Sequence, residues 1–182
     1  NRQLFLPFIE FLKSNLVVEN LDGGVDFRQN RISGNKVYFT PLNPEANAGV
    51  NDMWSGLTGG NQEFFTLYVK GGALEIPRYH NGVGRFGFYD LCGQPLGPAD
   101  YLALADNLRV IVIEHIPQMG RSNFNEAKRF MTLIDALYEA KTRVICSAAA
   151  EPEELYLEGD GVFEFERTAS RLREMQSADW AN

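Results

Sequence analysis

The sequence predicts an α/β fold with one βαβ unit and a β-rich antiparallel insert, and three observations carry that reading. Leu108-Arg-Val-Ile-Val-Ile-Glu114 and residues 143–146 are nearly unbroken apolar runs, the pattern of strands buried on both faces. Between them Ala127, Phe130, Met131, Ile134, Leu137 and Tyr138 recur at helical spacing, so strand, helix and strand form a parallel crossover. Upstream, three short strand-like runs (64–69, 73–79 and 84–88) are separated by Gly71-Gly72 and Asn81-Gly82, the turn chemistry of an antiparallel meander.

The remaining elements follow in chain order. Leu4, Phe8, Ile9, Phe11 and Leu12 lie near helical spacing over 4–16, with Pro7 admissible in a first turn. Leu16-Val-Val-Glu-Asn-Leu21 reads as a strand that stops at Asp22-Gly23-Gly24. Ser33-Gly34-Asn35, inside the alternating stretch 31–39, predicts a hairpin. A mobile loop through Pro41, Pro44, Gly49 and Gly59-Gly60 is expected after it. Gly97-Pro98 opens a helix that runs to about Ala105. Asn123 and Glu126 have capping-box spacing ahead of the central helix. Phe163 and Phe165 precede a last helix in which Ala169, Leu172 and Met175 share a face. Three regions result: 1–30, a helix and a strand; 31–88, the β-rich insert; and 89–182, an α/β region. The first residue is Asn1, already inside a helical pattern, so further chain is expected upstream.

The 182 residues are enough for one compact domain that buries most of its apolar surface. A formal net charge of −7 argues against broad attachment to nucleic acid or anionic lipid, which needs clustered Lys and Arg. Cys92 and Cys146 are too few and too far apart for a disulfide framework, which fits a reducing cytoplasm. No apolar run approaches the roughly 18–20 residues of a membrane span.

Few residue patterns point directly to chemistry. No Gly-x-x-x-x-Gly-Lys-Ser/Thr loop occurs, so nothing here cradles ATP phosphates, and the chain is expected to be inactive alone. Gly82-Val-Gly84 lies in the meander with no helix after it and makes a poor nucleotide loop. The strand ending in Glu114-His115 has two readings: a Walker-B-like strand whose acid holds Mg²⁺, or a core strand that ends in polar residues. His115 beside Glu114 could hold a metal or relay a proton, but the sequence has only one other histidine, His80, and no metal site is expected. Ser147 lacks a nucleophile elbow, and Cys146 in the same apolar run reads as structural. Arg2, Arg85, Arg129, Arg167 and Arg171 are of the type that stabilises phosphoryl charge. The alternative for each is a surface ion pair, with Glu174 as a local partner for Arg167 and Arg171.

A series of longer motifs adds to these readings. In order they are Asn1-Arg-x-Leu-Phe-Leu-Pro-Phe-Ile, Leu21-Asp-Gly-Gly-Val-Asp-Phe-Arg28 and Leu91-Cys-Gly-Gln-Pro-Leu-Gly-Pro-Ala-Asp-Tyr-Leu102. Asn125-Glu-Ala-Lys-Arg-Phe-Met-Thr-Leu-Ile-Asp-Ala-Leu-Tyr138, Cys146-Ser-Ala-Ala-Ala-Glu-Pro-Glu-Glu-Leu155 and Phe165-Glu-Arg-Thr-Ala-Ser-Arg-Leu-Arg-Glu-Met-Gln-Ser177 follow. Together they resemble the ZapE-like AAA+ ATPases of bacteria, related to a mitochondrial AAA+ group. The resemblance implies the C-terminal part of a P-loop ATPase, with region 1–30 ending the ATPase core. ATP and Mg²⁺ would be used by the full-length protein, with none bound by this part. It implies ATP-driven protein remodelling in cell division, a homo-oligomer, and protein partners in division or inner-membrane complexes. The implied setting is cytoplasmic, peripheral to the inner membrane, with no nucleic-acid partner. Arg2 matches the region where the family places an arginine finger, and Arg85 and Arg129 are candidates for sensor or lid roles. Lys128 stands where the family often has Arg, and Gly71-Gly72 where a Gly-Arg pair is common. The competing reading is a non-enzymatic protein-interaction module, suggested by the missing phosphate loop and by Trp54, Tyr68 and Tyr79.

Overall fold

The computed structural model describes residues 35–181. The helix expected over 4–16, the strand over 16–21 and residues 31–34 of the expected 31–39 hairpin lie outside the described residues, as does Arg2. The described chain runs β1 (Tyr38–Phe39), α1 (Pro44–Thr58), β2 (Glu63–Val69), β3 (Gly72–His80), β4 (Val83–Gly87), α2 (Phe88–Cys92), α3 (Pro98–Asn107), β5 (Val110–Ile116), α4 (Phe124–Glu139), β6 (Arg143–Ala148) and α5 (Val162–Glu174).

All six strands join one mixed sheet in the order β1-β6-β5-β4-β3-β2. The βαβ unit forms as expected: β5 and β6 pair in parallel, with Ile111 opposite Val144 and Ile113 opposite Cys146, and α4 makes the crossover. The meander also forms, β2 with β3 and β3 with β4 antiparallel. Asn81 (φ 46°) and Gly82 (φ 77°) both take positive φ, the requirement of the tight hairpin turn that the Asn-Gly pair predicts. Its last strand, β4, pairs in parallel with β5, so the antiparallel stretch continues the sheet of the 89–182 region. Tyr38 and Phe39, placed in a hairpin by the sequence, pair instead in parallel with Cys146 and Ser147.

The expected mobile loop after Phe39 is overturned. Residues 44–58 form a 15-residue helix, and the Pro and Gly residues that suggested a loop mark its ends. Asn43 is the N-cap, its side chain accepting from the Ala46 N–H at 2.8 Å; Pro44 opens the first turn; Gly59 closes the helix in the left-handed region at φ 64°. Mid-helix Gly49 lies against the Phe39 ring, where a Cβ has no room. The capping box at Asn123 and Glu126 is also absent. The Asn123 side chain instead accepts from the Gly120 N–H at 3.1 Å, in the 3₁₀ turn before α4.

Helices cover the two sheet faces unequally. One face carries the large core, where Phe86, Ile111 and Ile113 meet Leu104, Phe130, Leu133 and Phe165 from the helices after β4. Among the described residues the other carries α1 alone, whose Val50, Trp54 and Leu57 pack on Val83, Val110, Val112 and Ile145. No helix among the described residues is long and apolar enough to cross a membrane.

Candidate functional site

The polar groups that the sequence singled out around Glu114 gather on the α1 face, at the carboxyl ends of β5 and β6, where open α/β sheets place their ligands. Strand alternation sends Phe86 into the large core and Arg85 to the opposite face. There the Arg85 Nε donates to Glu114 Oε2 at 2.9 Å, and one terminal nitrogen reaches Oε1 at 2.5 Å. The same nitrogen donates to Asn51 Oδ1 on α1 at 2.7 Å, and the guanidinium lies 5.7 Å from the Trp54 ring centre. Arg78 on β3 adds a further bond to Glu114 Oε2 at 2.9 Å. Both members of the central pair are buried, Arg85 5% exposed and Glu114 6%.

Burial pushes the Glu114 carboxyl up. The hydrogen bond and charge of Arg85, then the charges of Arg78 and His115, outweigh burial and hold it below its ordinary 4.5. The site therefore keeps an ionised carboxylate already occupied by two guanidinium groups. Beside it, the β5–β6 register shifts between Ile113 and Ile116, and His115 takes φ 58°. Its backbone N–H then points at the Ser147 Oγ, 2.9 Å away, and its ring reaches Asn47 on α1 at 3.3 Å. Ser147 is fully buried and serves as an acceptor within the bulge, which fits the reading that it is no nucleophile. Burial raises the Cys92 and Cys146 thiols far above the usual range, so neither is a ready thiolate.

The candidate arginines do not converge. Arg129 lies across the sheet from Arg85, on α4, and donates to the Cys92 carbonyl at 3.1 Å. Arg167 and Arg171 do not pair with Glu174, as spacing along their helix suggested. They bind Asp135 on α4, and Arg171 also reaches Glu139, because this face of α5 is turned toward α4. Glu174 instead accepts from the Tyr138 hydroxyl. His80 contacts its neighbour Asn81 and stands apart from His115. Among the described residues no group of three or more His, Cys, Asp or Glu side chains could hold a metal ion.

These residues do not fit a nucleotide with its magnesium ion. The one acid at the end of β5 is occupied by two arginines, and Arg85, which could face a phosphate, is closed in beneath α1. What the cluster does is mechanical. It fastens β3, β4, β5 and α1 together through directional bonds. Sequence reading missed Asn47, Asn51 and Arg78 as its members, because α1 was taken for a loop and β3 shows no motif.

Comparison with known proteins supplies the identity that the geometry does not. The AFG1-like ATPase family matches residues 1–182. Cell division protein ZapE of Escherichia coli (strain K12) is 34% identical over 181 residues, covering 98% of this chain and 48% of ZapE. Lactation elevated protein 1 homolog B of Danio rerio is 28% identical over 215 residues, covering 98% of this chain and 43% of that protein. No solved structure matches at comparable significance. The chain thus spans about half the length of these curated relatives. With the match running from the first residue to the last, the chain belongs to the AFG1-like ATPase family.

Proposed function

We propose that the chain is the C-terminal part of a AAA+ ATPase that uses ATP and Mg²⁺ to remodel protein partners in cell division. The observation that carries this reading is the 34% identity to cell division protein ZapE across 98% of the chain. Nucleotide binding is then assigned to the part of the full-length protein beyond this match, since the described residues form no such site. The present chain supplies Arg2 as an arginine finger, completing the catalytic centre of a neighbouring subunit in a homo-oligomer. A finger adds positive charge where the transferring phosphoryl group gathers negative charge. Arg85 and Arg129 act in this scheme as internal supports, one fastening β4 to α1 and the other joining α4 to the end of α2. The setting is cytoplasmic, with inner-membrane complexes among the partners.

The test is steady-state ATP hydrolysis by the full-length protein and its Arg2→Ala variant, with nucleotide affinity measured in parallel. Loss of a finger lowers turnover by about 10³-fold or more while ATP still binds. Equal turnover removes Arg2 from the catalytic centre. Absence of hydrolysis in the unmodified full-length protein favours the second reading, an interaction module. That reading draws support from the engaged state of Glu114 and from large apolar side chains on the surface, Tyr68 at 82% exposure among them.

A further inference from the structure

The charge of this chain is unevenly placed. Between Glu151 and Glu166 stand seven carboxylates and no Lys or Arg, and the chain's entire formal charge is −7, so the rest of the sequence balances. Part of this charge is answered locally. Glu151 and Glu153 pair with Arg173 at 2.9 and 2.7 Å, and Glu158 lies 3.7 Å from Arg121. Glu154, Asp160, Glu164 and Glu166 have no cationic partner among the described residues, and all four are exposed.

The same segment contains a groove of about 360 Å³ between the 3₁₀ turn at Pro152–Glu154 and α5. Its floor is apolar, built on Tyr156, Phe165 and Ala169, while Glu153 and Glu166 are acids on its lining. Its shape is fixed from below. The Tyr156 hydroxyl donates to the Asp160 carbonyl at 2.6 Å, and its ring meets Phe165 edge-on at 5.6 Å. Gly159, at φ 134°, lets the loop close over that hydroxyl where a Cβ has no room. Two large apolar side chains stand in solvent beside this floor. Leu157 is 58% exposed and lines the groove; Phe163 is 80% exposed, on the helical stripe it shares with Glu166 and Ser170, both lining residues.

An isolated exposed apolar residue needs no explanation, but two beside an apolar groove with unanswered charge around them mark a contact surface. The volume is at the small end of ligand cavities, roughly 300–1,000 Å³, which suits one anchoring side chain better than a cofactor. The acids repel nucleic acid and anionic lipid, and they complement Lys and Arg. We propose that the groove between residues 152–157 and α5 docks a basic protein segment, which seats a Leu or aromatic side chain against Leu157 and Phe163 while its Lys or Arg residues meet Glu166 on the lining and Glu154 in the turn that borders it. Anchor and charges divide the work: the buried apolar side chain holds the complex, and the rim sets encounter rate and selectivity. The inference does not depend on ATP hydrolysis, and its readout is binding.

The experiment is selection of a random dodecapeptide display library on the full-length protein, with counter-selection on its Phe163→Ser/Glu154→Gln/Glu166→Gln variant. The selected consensus is then synthesised with a fluorescein label for anisotropy. The expected consensus carries two or more Lys or Arg around a Leu, Phe, Tyr or Trp. Its affinity falls about tenfold with Leu157→Ser alone and further with the triple variant. It also weakens between low and physiological salt, because exposed charges are screened. All four altered side chains are exposed, so thermal unfolding stays unchanged and a lost signal reports the surface itself. Enrichment of acidic or uncharged peptides overturns the proposal. So does a consensus that binds the variants equally, failure of any sequence to enrich over the counter-selection, or a concentration-dependent dimer that Phe163→Ser dissolves.

Discussion

The two faces of the sheet solve the same problem with different physics. On the face covered by the later helices, stability comes from amount. Phe130 is fully buried, with Phe88 at 5.7 Å and Phe165 at 6.2 Å, amid apolar side chains from four helices and the sheet. On the α1 face a single helix among the described residues covers the strands, and buried beneath it is a guanidinium on a carboxylate. Apolar contacts resist removal but tolerate sliding, whereas the Arg85 fork has one geometry that satisfies Glu114 and Asn51 together. The contrast teaches that α1 is located by direction, and the other helices mainly by area.

The largest effect should come from emptying the thick face. Phe130→Ala leaves a cavity between two aromatic rings and should cost about 4 kcal/mol in denaturant unfolding. A cost below about 1 kcal/mol would show that α4 and α5 collapse into the space, and that the face is less tightly packed than its burial indicates. On the thin face, Glu114→Ala strands a buried Arg85 and should cost about 3 kcal/mol. The double change Arg85→Met/Glu114→Leu sharpens the comparison, because a matched apolar pair removes the desolvation cost with the charges. It should recover most of that loss, although α1 is then free to shift, which hydrogen exchange at its amides would record. If the double variant is as unstable as Glu114→Ala, the pair contributes stability as well as direction.

The pH dependence of the same pair has a definite sign. The folded-state carboxyl of Glu114 lies below its ordinary 4.5, so its contribution is fully present above that pH and fades as pH falls through the lower folded value. The stability difference between the unmodified protein and Glu114→Ala should therefore narrow on acidification through that window. The smallest effect belongs to the start of α1. Asn43→Ala removes one cap bond and should cost about 1 kcal/mol.

The parts of the fold legible in the sequence are those where burial on both faces writes an unbroken apolar run, as in β5 and β6, or where a turn demands positive φ, as at Asn81-Gly82. Helix α1 was illegible because its glycines and prolines satisfy two descriptions. Asn43-Pro44 and Gly59 bound a loop as readily as they cap a helix, and Gly49 sits mid-helix for the sake of the Phe39 ring, a contact no local pattern announces. The site was half legible. Glu114 stood out at its strand end and Arg85 by residue type, but their pairing spans 29 residues, and the helix that completes it had been read as a loop.

The pairing of β1 with β6 also constrains how the protein is made. Tyr38 donates its hydroxyl to the carbonyl of Ala150, 112 residues further along, and its strand neighbours lie at Cys146 and Ser147. On a ribosome adding about 5–20 residues each second, the first strand and the start of α1 emerge on the order of ten seconds before the strand that receives them. Until β6 follows, Tyr38 lacks the strand it pairs with, and until β4 and β5 follow, Val50 and Trp54 lack the strands they cover. Within residues 35–181 the sheet is closed from its far end backward, so β1 leaves the exit tunnel well before the strand that encloses it.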